Sequence, residues 1–89
     1  MKITRHTQEK LQDLLKTQGY SIRYEKGSFK GGYCIVQAQK MIIVNKFHPL
    51  ESKVNTLIEI LREIEIDEAA LSPEQAKWIE RIRTEQEVE

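Results

Sequence analysis

The sequence predicts an α+β fold: a three-stranded antiparallel meander carrying three helices, packed mainly on one of its faces. Three observations predict it. Apolar residues recur at helical spacing in three segments, 7–18, 49–65 and 73–84. Between the first two lie three short runs of strand character, 20–25, 33–37 and 41–45. The order α-β-β-β-α-α then places consecutive strands on short links, which favours antiparallel neighbours.

The first helix rests on Leu11, Leu14 and Leu15, with Lys10, Gln12, Asp13 and Lys16 outside that stripe. Thr7 is its expected N-cap, and Gly19 supplies the left-handed residue that ends many helices. Tyr20 is placed to fold back onto Leu15, as Schellman endings prefer. His6 precedes this helix and suggests no ligand role.

Strand one shows a period of two, with Tyr20, Ile22 and Tyr24 alternating against Ser21, Arg23 and Glu25. Residues 26–32, Lys-Gly-Ser-Phe-Lys-Gly-Gly, are turn chemistry, and Tyr33 to Gln37 form a second strand. Ala38, Gln39 and Lys40 lead into Met41-Ile42-Ile43-Val44-Asn45, whose continuous apolar character predicts burial on both faces.

The second helix has Pro49 at its first position and Glu51 in the first turn, where a carboxylate complements the helix dipole. Leu50, Val54, Leu57, Ile58, Leu61 and Ile64 or Glu65 trace its buried face. The third opens on Ser72-Pro73-Glu74-Gln75, a capping-box pattern with Leu71 and Ala76 in the staple positions. Ala76, Ile79 and Ile82 form its narrow stripe, Trp78 sits at the edge, and the residues past Thr84 are expected to fray.

A chain of 89 residues with 39% apolar and 31% charged side chains allows one domain and one core. No apolar run exceeds four residues, the length of Met41–Val44, whereas a membrane helix needs roughly 20. No apolar stretch follows the charges of the first residues, so neither a membrane nor a signal peptide is expected. The single cysteine, Cys34, rules out an internal disulfide and any multi-cysteine zinc framework, and a cytoplasmic location is expected.

Net charge is zero, yet it is divided. Nine Lys and Arg stand against three acids up to His48, and five against eleven from Pro49 onward. Such asymmetry marks either an acidic partner for the basic half or two halves that neutralise one another.

One local resemblance emerges after the third strand. Ile43-Val44-Asn45, Pro49-Leu50 and Thr56-Leu57 stand in the order and approximate spacing of a strand, link and helix that resemble the core of ImmA/IrrE-type zinc metallopeptidases. That family carries H-E-x-x-H on the helix, in a stretch commonly reading T-L-A-H-E-L-G-H. Here the stretch reads Thr56-Leu57-Ile58-Glu59-Ile60-Leu61-Arg62-Glu63. The resemblance covers about residues 10–65 and implies a scaffold that has lost the chemistry. Glu59 and Glu63 occupy the two ligand positions, and Ile60, which cannot accept a proton, stands at the base position. As i, i+4 neighbours Glu59 and Glu63 are candidate ligands for a hard cation, or simply a solvated face with Glu59 near Arg62.

Residues 26–32 form the most unusual local feature. Three glycines can converge backbone N–H groups on an anion, Lys26 and Lys30 add charge, and Phe29 offers a stacking surface. The spacing is not that of a Walker A loop. A hairpin loop whose glycines relieve backbone strain, with Phe29 against the sheet, is the reading preferred to binding. If the loop binds, Arg23, Lys26, Lys30, Lys46 and Phe29 are the candidate contacts. Cys34, Asn45 and His48 are residue types found in cysteine-nucleophile sites, but a cysteine in mid-strand reads as a buried structural thiol, and His48 as a helix cap. Glu63, Glu65, Asp67 and Glu68 gather near the end of the second helix, facing a basic surface of this chain or a neighbour.

No cofactor is implied. The functional expectation is a non-catalytic accessory or interaction domain whose partner is another protein or a second copy, with Trp78, Ile79 and Ile82 as candidate interface residues. A nucleic-acid or anion-binding module using the basic half, and a reduced metal-dependent hydrolase, are the alternatives.

Overall fold

The computed structural model of the chain describes residues 2–26 and 33–84. Helix α1 spans Arg5–Thr17, β1 Ser21–Glu25, β2 Tyr33–Val36, β3 Met41–Asn45, α2 Leu50–Glu63 and α3 Pro73–Thr84. Single 3-10 turns sit at Gln37–Gln39 and Glu68–Ala70. Element order matches the expectation. The fraying expected past Thr84 falls on residues outside those described.

Local chemistry sets the helix ends. α1 starts two residues before the expected position because Thr4, not Thr7, is its N-cap: the Thr4 hydroxyl accepts the Thr7 N–H at 3.0 Å. Thr7 itself is buried, and His6 lies inside the helix. At the other end the Tyr20 N–H donates to the Leu15 carbonyl at 3.2 Å and the Gly19 N–H to Lys16 at 3.0 Å. With Gly19 at φ +88° this is the expected Schellman ending.

α2 is shorter than its apolar pattern. Pro49 is its N-cap rather than its first residue, and Ile64 is already extended. Arg83 of α3 caps that end, its guanidinium donating to the carbonyls of Leu61 and Ile64. α3 opens with the predicted capping box. The Gln75 N–H donates to the Ser72 hydroxyl at 3.1 Å, and the Ser72 N–H to the Gln75 side-chain oxygen at 3.0 Å.

The sheet departs from the meander. Its strand order is β1-β3-β2, with β3 parallel to β1 and antiparallel to β2. The sheet is therefore mixed. The most apolar strand takes the centre, where both of its edges find hydrogen-bond partners. The connection between Glu25 and Tyr33 has residues enough to span two strand spacings, about 10 Å, so β1 and β2 need not be neighbours. Only the short link through Gln37–Lys40 forces antiparallel pairing, between β2 and β3. Lys40, at φ 49°, takes the left-handed conformation that turns this link into β3.

Burial on both faces of β3 is also corrected. Ile42 and Val44 are fully buried, whereas Met41, Ile43 and Asn45 are half-buried. The register places Ile22, Tyr24, Tyr33 and Ile35 on the side of Ile42 and Val44. All four pack against one core with Leu11, Leu14 and Leu15 of α1, Val54, Leu57, Ile58, Ile60 and Leu61 of α2, and Ile79 and Ile82 of α3. All three helices thus contribute to one side of the sheet, as expected.

A polar clamp holds the link after α2. Gln18, 9% exposed, accepts the Asp67 N–H at 2.7 Å and donates to the Asp67 carbonyl at 3.2 Å. One side-chain amide therefore satisfies both backbone groups of a residue far along the chain.

Candidate functional site

The pleat sends alternate residues to the side without helices. Cys34 and Val36 of β2, Met41 and Ile43 of β3, and Arg23 and Glu25 of β1 share that side. Val36, Met41 and Ile43 are half-buried, and none is among the apolar residues that pack against the helical core. Phe47, just past β3, is 68% exposed, the one large apolar side chain so exposed among the described residues.

Two of the predicted cations, Lys26 and Lys46, lie together at one end of the sheet, and a third, Arg23, lies on the helix-free side opposite Ile43. β1 and β3 run parallel, so Lys26 and Lys46 leave their ends side by side, and the Lys46 N–H donates to the Glu25 carbonyl at 3.1 Å. Both lysines are exposed. Lys46 Nζ lies 5.4 Å from the centre of the Phe47 ring. Arg23 points to the helix-free side and pairs with Glu25 at 2.8 Å, with 59% of its side chain exposed. Lys30 and Phe29, with the rest of the glycine loop past Lys26, lie outside the described residues. The local charge is therefore basic, with Glu25 already engaged.

The other candidates are scattered. Glu59 and Glu63 are exposed one turn apart on α2, close enough to Tyr33 to favour its protonated form. Burial is the main reason that the Tyr33 hydroxyl is held above its ordinary value, and the two carboxylates add to it. Ile60, at the position of the family's base, is fully buried in the core. Among the described residues no three His, Cys, Asp or Glu side chains gather as a metal-binding group. Arg62 Nε donates to the Ile82 carbonyl at 2.8 Å, which ties α2 to α3.

Cys34 lies mid-β2 opposite Ile43, half-buried on the helix-free side rather than within the core. The Asn45 side chain is occupied by the Phe47 N–H at 3.0 Å, and the His48 N–H donates to the Asn45 carbonyl at 3.2 Å. No side chain caps α2, so the role expected of His48 is not filled.

Ile79 and Ile82, expected at an interface, are 5% and 2% exposed and belong to the chain's own core. That leaves them unable to meet a partner. Trp78 is half-buried against the same core, with Lys10 Nζ 4.4 Å from its ring centre. Its surroundings explain it without a second molecule.

Sequence reasoning overlooked Val36, Met41 and Ile43 as surface residues, because an apolar run reads as core. Phe47, between Lys46 and His48, was the available signal: a lone aromatic among charges past a strand end. No helix among the described residues is long and apolar enough to cross a membrane. Compared with known proteins, the chain matches no family model, no curated protein and no solved structure.

Proposed function

We propose that this chain is a non-catalytic protein-interaction domain that receives an acidic protein partner on the helix-free face of its sheet. The observation that carries this reading is the apolar patch of Val36, Met41 and Ile43, outside the helical core, with Arg23 beside Ile43 and the exposed Lys26 and Lys46 at the end of the sheet. An apolar centre inside a charged rim is the usual anatomy of a protein contact. Arg23 and Glu25 offset one another, so the exposed Lys26 and Lys46 leave this end of the sheet basic and attract acidic groups, which steer association and fix orientation.

The nucleic-acid alternative draws on the same lysines and on Phe47 as a stacking surface, but the apolar patch itself, Val36, Met41 and Ile43, is aliphatic and offers bases none. The hydrolase alternative lacks a comparable support, since Ile60 packs in the core and supplies no base. The resemblance to metallopeptidases remains a proposal about scaffold only.

The test is affinity capture from the source cell after nuclease treatment, comparing the native chain with Ile43→Glu and Arg23→Glu. The native chain retains a partner whose capture weakens as salt rises, Arg23→Glu weakens it, and Ile43→Glu abolishes it. Undiminished capture by Ile43→Glu, or a partner released by nuclease, would refute the reading.

A further inference from the structure

A second site lies on the helical side of the sheet. Arg5 opens α1, Gln8 lies one turn on, Tyr24 is near the end of β1, and Leu50 and Lys53 belong to the first turn of α2. These five residues line a cavity of about 360 Å³, within the range of small-ligand sites. Among the described residues its charged lining is Arg5 and Lys53, with no carboxylate. Neither cation forms an ion pair among the described residues. Glu9 and Glu51, their acidic neighbours in sequence, are exposed and do not line it.

The polar groups are joined in a chain of hydrogen bonds. Gln8 Nε2 donates to the Tyr24 hydroxyl at 2.8 Å, and that hydroxyl donates in turn to Gln12 Oε1. Tyr24 has no second proton to give, but the Gln8 amide has another N–H. Lys53 Nζ sits 5.5 Å from the Tyr24 ring centre, so it is drawn over the cavity wall rather than out into solvent. Two cations that line one cleft with no carboxylate among the described residues favour an anion between them. The positive ends of α1 and α2 add to the same potential.

We propose that this cavity binds a small phosphate monoester. The phosphate oxygens lie between the Arg5 guanidinium, whose planar fork suits them, and the Lys53 ammonium, with the Gln8 N–H as a third donor. The organic part rests on Leu50 and the Tyr24 ring. A nucleic-acid strand fits less well, since a backbone needs a track of cations and this cavity confines its charge to two.

The experiment is an amide chemical-shift titration of the full chain with adenosine 5′-monophosphate, adenosine and a single-stranded oligonucleotide. The expected result is saturable shifts centred on Arg5, Gln8, Tyr24, Leu50 and Lys53 with the monophosphate, and binding of adenosine at least about tenfold weaker. Arg5→Ala and Lys53→Ala each weaken the monophosphate by about tenfold or more with the rest of the spectrum preserved. Lys16→Ala, at the far end of α1, leaves the affinity unchanged. The proposal is overturned by the absence of saturable shifts at the cavity. Equal binding of adenosine, tighter binding of the oligonucleotide, or an equal loss in Lys16→Ala would overturn it as well.

Discussion

Ile42 and Ile43 are the same residue type one position apart on the central strand, yet they meet different surroundings. Ile42 is fully enclosed by the helical core, while Ile43, on the other side of the pleat, is only half-buried beside Arg23 and Cys34. Strand propensity is common to both, so any difference between them comes from what lies over each face. The helical face supplies the stability of this small domain. The opposite face has apolar area that lies outside the helical core among the described residues.

The sharpest way to break this contrast is to shorten both side chains. Ile42→Ala is expected to cost about 2–5 kcal/mol, the range for deleting a fully packed aliphatic, while Ile43→Ala costs about 1 kcal/mol or less. Urea denaturation of the two variants reads the difference, and equal losses would mean that both faces are core.

A smaller effect tests the polar part of the helical side. Gln18→Ala leaves both backbone groups of Asp67 without their amide partner and is expected to cost about 1–3 kcal/mol. In hydrogen exchange the Asp67 amide should then open far more readily than the amides of β3. Unchanged protection there would show that the clamp contributes little.

The smallest effect probes the helical side by pH. Tyr24 and Tyr33 both lie on the helical side, and burial raises both hydroxyls above 10.0. For Tyr24 the Gln8 hydrogen bond works against that rise, whereas for Tyr33 Glu59 and Glu63 reinforce it. Below pH 10 the unfolded chain also keeps these protons, so their contribution to stability is fully present. It fades as pH climbs from 10 through the folded values, because the unfolded tyrosines ionise first. Ultraviolet titration of the folded protein should show two tyrosines ionising late. Glu59→Gln with Glu63→Gln should lower Tyr33 and leave Tyr24 in place.

Much of the candidate surface was hidden for a definite reason. Arg23, Lys26 and Lys46 were legible as cations, but only the parallel pairing of β1 with β3 sets Lys26 beside Lys46. Met41 and Ile43 read as interior because an apolar run cannot say which of its two faces will be covered. Arg5 and Lys53 drew no notice, since nothing in their sequence separation of 48 positions predicts a shared cavity.

The amino-acid sequence by itself determined the element order, the Schellman ending at Gly19 and the capping box at Ser72, because each depends on residues within a few positions of one another. Tertiary structure alone decided that β3 lies between its neighbours, that Ile79 and Ile82 turn inward, and that Gln18 clamps Asp67. Those outcomes depend on which distant surfaces meet. Where a connection is long enough to permit more than one strand order, the choice falls to the burial that the whole chain can achieve, which no local pattern encodes.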